Sequence, residues 1–105
     1  MFIKEVMEKD VVTVSPSSSV FHASKSMAKY GVSDIIVTDQ HKPVGILTAQ
    51  QVCSKVVAKD KTSLVKVSEV MVPHVFTASP KDSSVGLAKI MKEEKVHLVP
   101  VVDKN

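Results

Sequence analysis

The sequence predicts an α/β fold made of two copies of one unit, and three observations carry that expectation. Residues recur at a fixed spacing of 64 positions: Val6-Met7 with Val70-Met71, Thr13 with Thr77, Ser15-Pro16 with Ser79-Pro80, Met27 with Met91, Val37 with Val101 and Asp39 with Asp103. Chance matches would not hold one offset through half a chain, so the pattern is a duplication. Within each copy, short β-branched runs alternate with segments of helical apolar spacing, the mark of mixed strands and helices. The fullest version of the unit lies at residues 31–52, GVSDIIVTDQHKPVGILTAQQV, where a β-branched run, a polar turn, a second β-branched run and a helix start follow one another.

Each copy opens on a short amphipathic turn of helix, residues 2–8 and 67–71, and a brief strand, residues 11–14 and 75–77. Ser-Pro ends the strand because proline cannot donate to a ladder, and two residues on Ser18 or Asp82 stands where a helix N-cap is expected. The following helices set Val20, Ala23 and Met27 on one face in copy one, and Leu87, Ala88 and Met91 in copy two, with charged residues opposite. Gly31 suits a left-handed helix stop, whereas Lys95 at the equivalent position requires another ending. Inner strands follow at residues 35–38 and 98–102. In copy one Asp39-Gln40-His41-Lys42-Pro43 turns the chain back through residues 44–47, making a hairpin. Thr48 then opens a helix over residues 49–57, in which Ala49, Val52, Cys53, Val56 and Val57 share helical spacing; this predicts a buried Cys53 thiol. The division expected is residues 1–58 for the first repeat, 59–66 for a linker in the polar stretch AKDKTS and beyond, and 67–105 for the second. Copy two reaches Lys104-Asn105 at the position of the turn, so the last strand and helix of the unit have no counterpart, and the expectation is a fragment of a longer chain.

A chain of 105 residues with 44% hydrophobic and 24% charged residues is ordinary globular material for one compact body. Without tryptophan, Val, Ile and Met must fill its core. No apolar run approaches the roughly 18 residues of a membrane span, and the start Met1-Phe2-Ile3-Lys4-Glu5 is no signal peptide. The single Cys53 allows no internal disulfide, and a cytoplasmic protein without a membrane partner is the expectation. The net charge of +3 comes from lysines scattered among acids, with no basic block or aromatic ladder, which argues against a nucleic-acid partner. His22, His41, His74 and His97 form no i, i+4 pair and no cluster with carboxylates, so no metal site is expected. No Ser-His-Asp or Cys-His constellation and no glycine-rich phosphate loop is present among three glycines, so the chain is not expected to be an enzyme.

Thr48 is the candidate functional residue. A hydroxyl where a strand hands over to a helix can simply cap that helix, or the helix start can receive an anion or a sugar-phosphate. Both readings stand on the sequence.

The order Val-Met, Val-Val-Thr-Val-Ser-Pro, a helix with Met27, Gly31-Val32 and Val44-Gly45-Ile46-Leu47-Thr48, with Leu98-Val99-Pro100-Val101-Val102-Asp103 in copy two, resembles a tandem pair of cystathionine-β-synthase (CBS) domains over the whole chain. The resemblance implies tandem β-α-β-β-α repeats packed sheet to sheet with pseudo-twofold symmetry, a further homodimer, and two clefts between the repeats. Such clefts hold an adenosine-containing regulatory ligand, AMP, ADP, ATP or S-adenosylmethionine, and no cofactor is required. By the same resemblance the first cleft draws on Val75, Phe76, Val96, His97 and Leu98 with Thr48 and Gln51. The second draws on Val11, Val12, Val32, Ser33 and Asp34, its ribose end belonging to the segment without counterpart. The family carries Asp where this chain has Gln51, and Pro where it has Ile36. A carboxylate accepts from both ribose hydroxyls, whereas an amide offers one acceptor and a donor. Losing a charge-assisted bond worth about 1.5–3 kcal/mol predicts roughly ten- to a hundredfold weaker binding. His97 either meets a phosphate at the cleft wall or is an exposed strand-end histidine. Two functions follow from these residues: a sensor of an adenosyl ligand, favoured by Thr48, or a ligand-free interaction and dimerisation module, favoured by Gln51.

Overall fold

Ser15 and Pro16 end the first strand in a turn, the Ser18 N–H donating to the Ser15 carbonyl at 3.1 Å, and that turn delivers Ser19 to the start of the first helix. The computed structural model describes residues 12–73, 77–94 and 100–102. The chain divides into two compact units, Val11–Val75 and one built from the rest. In the first, β1 (Thr13–Val14) is followed by α1 (Val20–Tyr30), β2 (Asp34–Asp39), β3 (Lys42–Thr48) and α2 (Ala49–Val52). The three strands form one sheet in the order β1-β2-β3, with β1 parallel to β2 and β2 antiparallel to β3. The fold class is mixed α/β, as the sequence predicts.

The 64-residue offset recurs in the geometry. Helix α3 (Ser84–Glu94) in the second unit has the bounds of α1 shifted by that offset, and the parallel bridge Ala78 to Val101 repeats the pairing of Val14 with Val37. The caps repeat too. Ser19 Oγ accepts from the His22 N–H at 3.1 Å, and Ser83 Oγ from the Gly86 N–H at 3.3 Å. The N-caps are therefore Ser19 and Ser83, one residue later than Ser18 and Asp82, because the Ser-Pro turn consumes one more residue. Asp82 closes that turn instead, its Oδ2 accepting from the Ser79 N–H at 2.8 Å. Gly31 ends α1 at φ 66°, the left-handed stop expected of it. The helix end at Lys95 lies outside the described residues.

The core of the first unit joins Val14, Val20, Ala23, Met27, Ile35, Val37, Leu47, Val56, Val67 and Val70. Alternation along the strands places Ile35, Val37 and Leu47 on this face, and the predicted face of α1 meets it. In α3 the predicted face holds in part, with Leu87 and Met91 half-buried but Ala88 exposed. The predicted helical turn at residues 67–71 is a short 3-10 turn, Val67–Glu69, with Val67 and Val70 buried. The first strand is shorter than residues 11–14, β1 being Thr13–Val14. The turns at residues 2–8, most of the strand at 75–77 and part of that at 98–102 lie outside the described residues.

The helix expected over residues 49–57 is not continuous. One turn of α-helix passes into a π-helical turn, Cys53–Val57, closed by the Ala58 N–H on the Cys53 carbonyl at 2.8 Å. The wider turn breaks the 3.6-residue spacing on which a buried Cys53 rested. Val56 takes the core position at 2% exposure, while Cys53 is exposed.

Gly45 lets a second segment cross β3. The Ile46 N–H donates to the Val72 carbonyl at 3.0 Å and the Val72 N–H to the Ile46 carbonyl at 2.8 Å. A Cβ at Gly45 would stand 2.6 Å from Met71 Sδ and 2.8 Å from the Val72 oxygen. The thioether can move aside; the backbone oxygen cannot without opening those two bonds. Gly45→Ala should destabilise the first unit by about 1–3 kcal/mol, read as a lower urea midpoint at an unchanged slope. An unaltered midpoint would show the crossing to be loose.

Candidate functional site at the start of the second helix

Thr48 ends β3 in extended conformation, φ −110° and ψ 154°, and caps α2. Its Oγ1 accepts from the Gln51 N–H at 3.1 Å, and Gln51 Oε1 accepts from the Thr48 N–H at 3.1 Å. This reciprocal pair is a capping box. The cap reading of Thr48 is thus realised, and Gln51 has a structural task at the third helical position, one that the Thr-x-x-Gln spacing of residues 48–51 already spells.

The box fixes what the two side chains can offer. A backbone N–H must face an acceptor, so the amide oxygen of Gln51 points inward to Thr48 and its NH2 is left for solvent or a ligand. The Thr48 hydroxyl, having accepted one bond, still carries its own hydrogen. Both side chains are half-buried.

The hairpin register brings a third group to the same place. Asp34 is the cross-strand partner of Thr48, and the Ala49 N–H donates to the Ser33 carbonyl at 2.8 Å. The Thr48 N–H points away from β2, toward Gln51, so Asp34 and Thr48 form a non-hydrogen-bonded pair, the closer of the two antiparallel types. Residues 34, 36, 46 and 48 lie on the sheet face opposite Ile35, Val37 and Leu47. Ser33 and Asp34 therefore adjoin the Thr48 turn within one unit, although the resemblance alone assigns them and Thr48 to different clefts. An antiparallel hairpin sets the start of its first strand beside the end of its second. Val12 is half-buried and packs on the core, Ser33 is exposed and Val32 is 38% exposed. Val11, Val75, Phe76, Val96, His97 and Leu98 lie outside the described residues.

Among the described residues no group of His, Cys, Asp and Glu could hold a metal ion, and no helix is long and apolar enough to cross a membrane.

The CBS domain profile matches the chain twice, at residues 3–58 and 67–105. The chain belongs to the CBS domain family. This tandem CBS pair is 28% identical over 103 residues to the CBS domain-containing protein YhcV of Bacillus subtilis (strain 168), spanning 98% of the pair and 74% of that protein. It is 37% identical over 100 residues to an inosine-5'-monophosphate dehydrogenase of Methanocaldococcus jannaschii, where it spans 94% of the pair but only 19% of the enzyme. Among solved structures, the pair is similar to the CBS domain pair of protein MJ0100 in complex with 5'-methylthioadenosine and S-adenosyl-L-methionine. The TM-score is 0.85 at 28% identity, over 99% of this chain and 82% of that one.

Proposed function

We propose that this CBS pair is a regulatory module that binds an adenosine-containing ligand, AMP, ADP, ATP or S-adenosylmethionine, and catalyses nothing itself. The observation that carries the reading is the similarity over nearly the whole chain to the MJ0100 pair, whose structure holds two adenosyl compounds. The match to a fifth of a dehydrogenase supports the same division of labour, with the CBS pair as the regulatory part of a larger activity. Thr48 and Gln51 supply an outward hydroxyl and amide at the edge of the sheet, groups suited to hold ribose or phosphate oxygens. A cytoplasmic location fits the abundance of adenosyl ligands there and the single, exposed Cys53. Titration calorimetry with each of the four ligands and 5'-methylthioadenosine tests the reading. Saturable heat from at least one is expected, and dilution heat alone from all of them would contradict it.

The second reading, an interaction module, has its own support. Val57 at 69% exposure, beside the exposed Cys53, leaves apolar surface on the outer side of the π-helical turn. Such surface suits a homodimer. Light scattering at micromolar concentration should give twice the 11.4 kDa mass of the chain; a folded monomer would remove the homodimer.

A further inference from the structure

The capping box leaves the Thr48 site short of an acceptor. Gln51 Oε1 is committed to the Thr48 N–H at 3.1 Å, and Thr48 Oγ1 to the Gln51 N–H at 3.1 Å. What these two residues turn outward is an O–H and an NH2, which are donors. A ribose 2',3'-diol presents two O–H groups and is held best by a carboxylate, which accepts from both.

The hairpin supplies one. Asp34 is the register partner of Thr48. Side chains in such a pair lie on the same face with Cβ atoms about 4.5–5.5 Å apart. Asp34 is half-buried, and its carboxylate makes no hydrogen bond or ion pair among the described residues, so neither a cap nor a salt bridge accounts for it. The other described carboxylates of the first unit lie elsewhere: Asp39 at the far end of the hairpin, Asp60 after the π-helical turn, and Glu69 bonded to the Lys66 N–H at 3.1 Å.

We propose that Asp34 is the diol-binding carboxylate of the Thr48 site, doing from β2 what an Asp at position 51 would do from α2. The inference rests on the adenosyl reading above and makes it more specific. The ligand must carry an intact ribose diol, which Asp34 accepts from while Thr48 and Gln51 donate to the ligand's oxygens. A carboxylate at this point also repels phosphate, so 5'-methylthioadenosine and S-adenosylmethionine, neutral or cationic at the 5' side, bind more tightly than ATP.

Titration calorimetry on the whole chain tests this with 5'-methylthioadenosine and its 2'-deoxy analogue as probes. Asp34→Asn, which keeps size and shape, should weaken 5'-methylthioadenosine about ten- to a hundredfold and leave the weak binding of the deoxy analogue nearly unchanged. Adding Gln51→Asp to Asp34→Asn should restore at least tenfold of that loss. Asp34→Ser gives the same comparison should the asparagine variant fold poorly, with melting curves as the check. Wild-type affinity in Asp34→Asn, or equal losses for both probes, overturns the role of Asp34 alone. Absence of binding by the wild-type chain overturns the adenosyl reading and this role with it.

Discussion

Leu47→Ala is expected to lower the stability of the first unit by about 2–5 kcal/mol, a large effect for the truncation of one side chain. Leu47 is wholly buried, pairs with Ile35 across the hairpin, and joins one cluster with residues from α1, β2, the π-helical turn and the 3-10 turn. Removing its branch opens a cavity that elements from several parts of the unit would all have to collapse to fill. Against a total stability of about 5–15 kcal/mol for a domain, this is a fall in melting temperature on the order of 15 °C. Leu47→Met, which conserves volume, should cost less than about 1.5 kcal/mol. Thermal melts of the three forms separate a tightly packed site from a loose one, and a loss below about 1 kcal/mol for the alanine variant would contradict the packing described. The position has a functional side as well. Thr48 follows Leu47 directly, so the same strand that is clamped in the core holds the capping hydroxyl in place.

Ligand binding should be visible as stability. A ligand that binds only the folded chain adds about 2.7 kcal/mol at a hundred times its dissociation constant. In a domain of this size that is a rise in melting temperature on the order of 10 °C, at about 4–8 °C per kcal/mol. Thr48→Val separates the two tasks of the hydroxyl. Deleting the oxygen that accepts from the Gln51 N–H should cost the unliganded protein about 0.5–2 kcal/mol as a lost cap, a modest fall in its melting temperature. The same deletion removes an outward donor from the site, so most of the ligand-dependent rise should vanish on top of that fall. A hydroxyl that only caps would lower both curves equally and leave their separation intact.

Much of the fold is legible in the residues themselves. The duplication is, because one offset of 64 positions relates caps, helix bounds and a parallel bridge as well as letters. The core faces of α1 and the hairpin are, because apolar spacing records which side is dry. The exposure of Cys53 is not. A π-helical turn depends on shifted backbone bonds, such as that of the Ala58 N–H to the Cys53 carbonyl, that no residue type announces. The neighbourhood of Thr48 is hidden for a related reason. Gln40 and His41, both at positive φ, close a two-residue hairpin from Asp39 to Lys42. Counting back evenly from that turn sets Asp34 opposite Leu47. The register shifts after Thr38, where Val37 meets Gly45 and Val44 is the extra residue, so Asp34 meets Thr48 instead. One bulged residue exchanges the faces of everything beyond it, and with it the partner of the candidate site. By the resemblance Gln51 reads as a weakened ligand residue, while in three dimensions it is half of the capping box that the Thr-x-x-Gln spacing spells.

The most direct measurement is a pair of melting curves, with and without 1 mM 5'-methylthioadenosine or S-adenosylmethionine, for the wild-type chain and for Thr48→Val. For a ligand with a dissociation constant of about 10 μM the account predicts a rise on the order of 10 °C in the wild type and a small fraction of it in the variant. No rise in the wild type with either compound, or with AMP, ADP or ATP at the same concentration, would contradict the adenosyl reading and leave the interaction module as the better description.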